Sequence, residues 1–264
     1  MARKRKTEDD FEIQSSTDEV SMVTEIRAEA ESPSPEELGG DLPIMTLRNM
    51  LMFTSIVMPV TVGRQSTLKL VRSALKNKQH IIIATQKVAE VEEPGLNDLY
   101  PIAVIGRILR IFELPGGTTT VILQASNVKV RLEAITSTLP YLKGKVGIEP
   151  EDMDVKENDE FVALMDTCVD LANQYVETSD RLSPDVTFAL KNLPKDHILV
   201  NYICTNFPFS LDEKFELMSK DTLKDRLYNL IQVLNRETKL AELKHDIHCL
   251  LYTSPSPRDI SGSR

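Results

Sequence analysis

At 264 residues, and at about 150 residues per domain, the chain has room for one large domain or two modest ones, which excludes a peptide hormone or a short linker. Hydrophobic residues make up 41% and charged residues 27%, with 5% aromatic and no Trp, the composition of a folded soluble protein. The excess of 40 Asp and Glu over 31 Lys and Arg gives a net charge of −9, which counts against nucleic acid as a partner because phosphate repels an acidic surface.

Residues 1–41 hold twelve acidic and five basic side chains (Arg3, Lys4, Arg5, Lys6 and Arg27) and a Ser32-Pro33-Ser34-Pro35 run, so most of the negative charge lies there. With few large apolar side chains to offset chain entropy, this stretch is expected to be a disordered acidic tail. No apolar run approaches the roughly 18 residues that span a bilayer, and Met1 to Lys6 leads into acidic residues instead of a signal-peptide core. A cytoplasmic location without membrane contact is therefore expected. Cys168, Cys204 and Cys249 are too scattered for a disulfide framework or a zinc site and read as small packing residues.

From Leu42 the pattern turns to short strands. Leu42 to Leu47 and Ile56 to Val62 are rich in branched residues, with Pro43 and Pro59 near strand starts, where a missing amide hydrogen costs little. Gln65 to Leu75 carries Leu68, Val71 and Leu75 at helical spacing, and His80 to Ala84 reads as a buried strand. A hairpin should join Ile102 to Leu114 with Thr118 to Gln124 through Pro115-Gly116-Gly117, and a turn near Gln124-Ala125-Ser126 should precede a further strand in which Val128, Val130 and Leu132 alternate with charged residues. Such a set implies an antiparallel curled sheet or small β-barrel over 42–155.

The period becomes helical after Asn158. Phe161, Leu164, Met165, Cys168, Leu171, Ala172 and Tyr175 form one apolar stripe. Ser183-Pro184 marks a second helix start, and Ser210 with Glu213 fits a capping box. Asp221 opens the longest helix, with Leu223, Leu227, Leu230, Ile231, Leu234, Leu240, Leu243 and Ile247 along it. The fold class expected is α+β, the sheet followed by an all-helical subdomain over 156–248 that ends in a long helix. Cys249 to Asp259 resembles the one-frame translation of a sequencing-library adapter, so 249–264 is expected to be non-native and the parent protein to continue past His248.

No catalytic constellation stands out. A phosphate-binding loop needs G-x-x-x-x-G-K-[ST], and the nearest approach, Gly144-Lys145, has Leu139 in place of the first Gly and Val146 in place of the hydroxyl. His245 and His248 supply only two neighbouring imidazoles, which reads as a helix face rather than a metal site. Glu92-Glu93 and Glu151-Asp152 fall in expected loops and read as solvated charge. No catalytic, cofactor or metal residue is assigned.

Leu42-Pro43-Ile44-Met45-Thr46-Leu47-Arg48-Asn49 and Pro59-Val60-Thr61-Val62-Gly63-Arg64 resemble the opening of the N-terminal domain of the Lon family of ATP-dependent proteases. Tyr100-Pro101-Ile102, Gly106 to Arg110, Leu114 to Thr118, Leu182-Ser183-Pro184, Asn206 to Ser210, Lys224-Asp225-Arg226-Leu227 and Leu234 to Glu237 continue the likeness in order, over 42 to about 248. The resemblance implies a PUA-like β half and a helical half that recognise unfolded or tagged proteins and stabilise a hexameric ring. The ATP and Mg2+ site and the Ser/Lys peptidase of the parent enzyme would lie downstream, leaving this chain with no catalytic activity of its own. A stand-alone cereblon-like adaptor or ligand-binding protein is the alternative within the superfamily.

The candidate substrate contacts are Met50, Leu51, Met52 and Phe53, an apolar run between two strands that is either partly exposed or core. Apolar contact and hydrogen bonding along a sheet edge are the expected means of gripping an extended chain.

Overall fold

The computed structural model describes residues 32–113, 118–153, 159–179, 182 and 184–253, without the side chains of 185, 245, 246 and 248–253. Residues 1–31 and 254–264, Pro115-Gly116-Gly117, where a turn is expected, and Ser183 lie outside the described residues. A one-turn helix α1 (Pro35–Leu38) precedes β1 (Leu42–Leu47), β2 (Val57–Val62), α2 (Gln65–Asn77), β3 (Ile81–Thr85), β4 (Ile102–Glu113), β5 (Thr119–Ser137) and β6 (Lys143–Ile148). Helices α3 (Asp159–Thr178), α4 (Pro184–Asn192), α5 (His197–Asn206), α6 (Leu211–Met218) and α7 (Leu223–Thr253) follow.

Three expectations about these elements need correction. Residues 32–41 fall in the stretch read as tail, yet they are ordered: Ser34 and Glu37 cap α1 reciprocally, Leu38 packs on the sheet, and the Ser32 hydroxyl donates to Asn127 Oδ1 at 2.7 Å. The sheet is mixed rather than antiparallel, because β1 and β3 pair in parallel, an arrangement allowed by the long connection through β2 and α2. No turn interrupts β5 at Gln124-Ala125-Ser126. These residues are buried in the strand with their polar groups satisfied, Gln124 Oε1 accepting from Arg107 Nε at 2.9 Å and Ser126 Oγ donating to the Ile105 carbonyl at 2.9 Å. Strand β6, Lys-Gly-Lys-Val-Gly-Ile, has a composition that conceals a strand, and the sequence alone assigns it no element. Gly144 is required there, since a Cβ would collide with the Ala134 carbonyl and the Ile44 side chain.

The strand order is β2-β5-β4-β3-β1-β6, and β6 also pairs with the far half of β5, so the sheet curls back towards itself. Alternation along the strands divides the apolar side chains between two cores. Ile44, Ile82, Ala84, Ala103, Ile105 and Val130 form one of them. Met45, Leu47, Ile81, Ile83, Val104 and Leu123 face the other way and share a larger core with α2 and the helical half. Because β3 is covered on both faces it reads as the uninterrupted run Ile81-Ile82-Ile83-Ala84.

Sheet and helices are also joined by a buried polar network. The last carbonyls of α6 have no partner within their own helix. Lys129 of β5 supplies donors to two carbonyls of this end, its Nζ lying 3.2 Å from Met218 O and 3.1 Å from Lys220 O, and Arg226 Nε of α7 donates to Leu217 O at 3.0 Å. The Arg226 guanidinium pairs with Glu151, donates to Asn201 Oδ1 at 2.6 Å and lies 5.3 Å from the centre of the Phe53 ring. Glu151 also lies 3.6 Å from Lys129 Nζ and accepts from Thr54 Oγ1 at 3.3 Å. Burial pushes the Lys129 ammonium below its ordinary pKa, while the nearby Glu151 opposes that shift. Glu151 is therefore a structural ion-pair partner, not the solvated loop charge its sequence neighbourhood suggests.

Arg226→Ala would strand Glu151 among buried groups, and a loss of about 3–5 kcal/mol of unfolding free energy is expected. Urea melts followed by circular dichroism measure it, and a loss below about 1 kcal/mol would show that the ion pair does not hold the halves together.

Candidate functional site

Strands β1 and β2 are consecutive in the chain but do not pair. β1 meets β3 along Ile44–Leu47 and β6 only at Leu42 and Pro43, while β2 pairs with β5 alone among the described residues. Two unpaired strand edges, the end of β1 and the outer side of β2, therefore border a groove of about 440 Å3 walled by residues 45–48, Met50, residues 59–64 and Thr67.

The groove is apolar at its base and basic at one end. Met45, Leu47, Val60 and Val62 belong to the main core, with half-buried Met50 packed beside them. Pro59 and Thr61 on β2, and Gly63 just after it, are exposed. Arg64 spans the gap, donating from Nη1 to Thr46 Oγ1 at 3.4 Å and from Nη2 to the Val91 carbonyl at 2.7 Å. Arg48 Nη2 reaches the same carbonyl at 3.4 Å, where Gln86 Nε2 also donates at 2.8 Å. Neither arginine has a carboxylate partner among the described residues.

The structure separates the four expected contact residues. Leu51, Met52 and Phe53 are each no more than 2% exposed, so of the two readings of the run the core one holds for these three, and they are corrected from candidate contacts to core residues. The segment runs beneath the helical half, where the Phe53 amide donates to Thr205 Oγ1 and Asn201 Nδ2 donates to the Thr54 carbonyl at 3.1 Å. Met50 alone reaches the groove. The contribution of β2 and the two arginines was missed, because only the strand order shows that β2 has a free side. Pro59 was the available signal, since proline inside a strand marks an edge.

Other expected or conceivable sites have structural roles. Gly144-Lys145 lies within β6 and not in a loop leading to a helix, so it does not cradle a phosphate. Among the described residues no group of three or more His, Cys, Asp or Glu could hold a metal ion, and no helix is long and apolar enough to cross a membrane. Cys168 and Cys204 are buried, and burial pushes both thiols up, Cys204 to about 12, which keeps them protonated and unreactive. The side chains of Cys249, His245 and His248 lie outside the described residues.

A family model described as the ATP-dependent protease La (LON) substrate-binding domain matches residues 41–236. A Lon protease of Parabacteroides distasonis is 38% identical over 212 residues, covering 80% of this chain and 26% of that protein. A Lon protease of Flavobacterium johnsoniae is 31% identical over 242 residues, covering 91% of this chain and 30% of its own length. The chain thus spans between a quarter and a third of the length of these relatives. Among solved structures, the N-terminal domain of a Mycobacterium avium complex Lon protease superposes with a TM-score of 0.54 at 17% identity, covering 76% of this chain and 98% of that one. A Lon N-terminal domain protein from Xanthomonas campestris superposes with a TM-score of 0.51 at 16% identity, covering 73% and 98%. The likeness to both is one of fold.

The different burial of neighbours in the 50–53 run gives a direct check. Phe53→Ala should cost about 3–5 kcal/mol of stability, as expected for a fully buried ring, whereas Met50→Ser should cost under about 1.5 kcal/mol. Equal losses in parallel urea melts would contradict the placement of the groove wall.

Proposed function

Because the chain belongs to the LON substrate-binding domain family, we propose that it is the part of an ATP-dependent Lon protease that grips misfolded, short-lived regulatory or otherwise tagged proteins, and that the groove between β1 and β2 is where it grips them. The observation that carries this reading is the coincidence of an apolar trough with two unpaired strand edges. Folded proteins hide both large apolar side chains and unsatisfied backbone groups, and unfolded chains present both. A large side chain entering such a trough gains about 1.5–3 kcal/mol, so a single domain binds weakly.

Repetition around a ring would raise the effective affinity through local concentration. In the far half of α7, Leu240, Leu243 and Ile247 are exposed at helical spacing, which supports this helix as an assembly surface for a homohexamer. In this reading the parent is a cytoplasmic serine endopeptidase whose ATP, Mg2+ and Ser/Lys dyad reside in other domains, and this chain contributes recognition alone. Relatives of three to four times its length that carry the name Lon protease favour that over a stand-alone adaptor.

Capture of carboxymethylated, permanently unfolded α-lactalbumin by the full 264-residue chain tests the groove. Met50→Lys combined with Thr61→Lys should weaken capture at least about fivefold with little change in melting temperature, since both side chains border the groove and neither is fully buried. Unchanged capture by the folded double variant would remove the groove from the account, and no capture by the folded native chain would remove the function. The same preparation should neither hydrolyse ATP nor cut casein, and either activity would contradict a purely recognising role.

A further inference from the structure

Resting on the reading that this groove holds unfolded chains, we infer that it selects extended segments carrying an acidic side chain, by adding the segment as a strand to the outer edge of β2 and seating the carboxylate between Arg48 and Arg64. Three observations converge on this occupant. First, the side of β2 away from β5 has no strand partner among the described residues, so its backbone groups are available to an extended peptide. Second, Arg48 and Arg64 are the charged residues lining the groove, which is therefore basic although the chain as a whole carries −9. Glu90, Glu92 and Glu93 are on the neighbouring loop but not in the lining, and none is ion-paired with either arginine. Third, both guanidiniums converge on one acceptor, the Val91 carbonyl, which also takes a hydrogen bond from Gln86.

A carbonyl oxygen has two lone pairs and each guanidinium has five N–H donors, so most of the donors of the two arginines have no protein acceptor. The contact from Arg48 is the longest of the three, at 3.4 Å, and is the one a stronger acceptor would displace. A carboxylate fits that position because its two oxygens can take paired N–H donors from a planar guanidinium. In a strand laid along β2, side chains alternate between the trough and solvent, so apolar residues at every second position would face Met50 while the acidic residue meets the arginines at the end.

The test is a fluorescence-anisotropy titration of the full 264-residue chain with a labelled, acetylated and amidated nonapeptide that alternates valine with threonine and carries one glutamate. It should bind about tenfold more tightly than its glutamine counterpart, the ratio expected of one charge-assisted pair worth about 1.4 kcal/mol. Arg48→Gln and Arg64→Gln should each abolish that ratio. Arg48 is exposed, so its variant retains the fold even if loss of the Arg64 bridge does not. N-methylation of alternate peptide amides should weaken binding by a similar factor, because it blocks strand pairing without removing side chains. Equal binding of the glutamate and glutamine peptides, or indifference to N-methylation, overturns the inference. A glutamine peptide with a free C-terminus that matches the glutamate peptide overturns it in favour of chain ends. Failure of these peptides to discriminate while unfolded α-lactalbumin is still captured sinks this inference alone, whereas loss of both kinds of binding by the folded chain sinks the proposed function as well.

Discussion

The end of α6 is the point on which the rest of the molecule depends. Its terminal carbonyls are satisfied by two cations from opposite halves, Lys129 from the sheet and Arg226 from the long helix, and Glu151 offsets the charge they bring into the interior. Burying such charges is costly unless each is paired and hydrogen-bonded, and here the carbonyls, Asn201 and Glu151 meet that requirement. An apolar interface of the same area would hold sheet and helices together with less discrimination among sliding positions. The network specifies one position, because a shift along α7 would part Arg226 from three acceptors at once.

That position decides where the groove lies. The chain leaving β1 is held by α5, the Phe53 amide donating to Thr205 and the Thr54 carbonyl accepting from Asn201, before it turns into β2. Ser55, with a φ of 61°, makes the turn, and Thr85 Oγ1 donates to the Met50 carbonyl at the other end of the crossing. Held beneath the helices in this way, the connection delivers β2 to β5 instead of returning it beside β1 as a hairpin. The unpaired edges are thus a consequence of the same contacts that bury Leu51, Met52 and Phe53. A sequence run that looked like a contact surface instead shapes the groove next to it.

Much of the architecture was legible because local signals and burial agree. The Ser210 and Glu213 capping box, the Pro184 helix start and the three-and-four spacing of α3 each specify one element without reference to anything distant. Legibility failed where the deciding contact is long-range. β6 has two lysines and two glycines in six residues, and only the collision with Ala134 and Ile44 explains Gly144. Gln124 and Ser126 sit where a turn is expected until Arg107 and the Ile105 carbonyl are seen to satisfy them inside the sheet. Glu151 looks like ordinary loop charge because its partners are 22 and 75 positions away, at Lys129 and Arg226. Arg48 and Arg64 lie in the two segments that most resemble the Lon family, yet nothing in their spacing tells that they meet at Val91.

An open strand edge is a liability in a soluble protein, since it can recruit another sheet and grow. β2 is six residues long and Pro59 removes a donor from within it, so an added strand finds only a short, interrupted ladder. For the recognition role proposed above, brief interruption would suit better than full pairing, because a segment that forms few backbone bonds leaves readily. In that proposal the affinity that the backbone withholds would come from side chains, the apolar trough at Met50 and the two guanidiniums at its end. Weak backbone capture with side-chain discrimination is the balance that would let an exposed edge act as the proposed receptor without becoming a seed for aggregation.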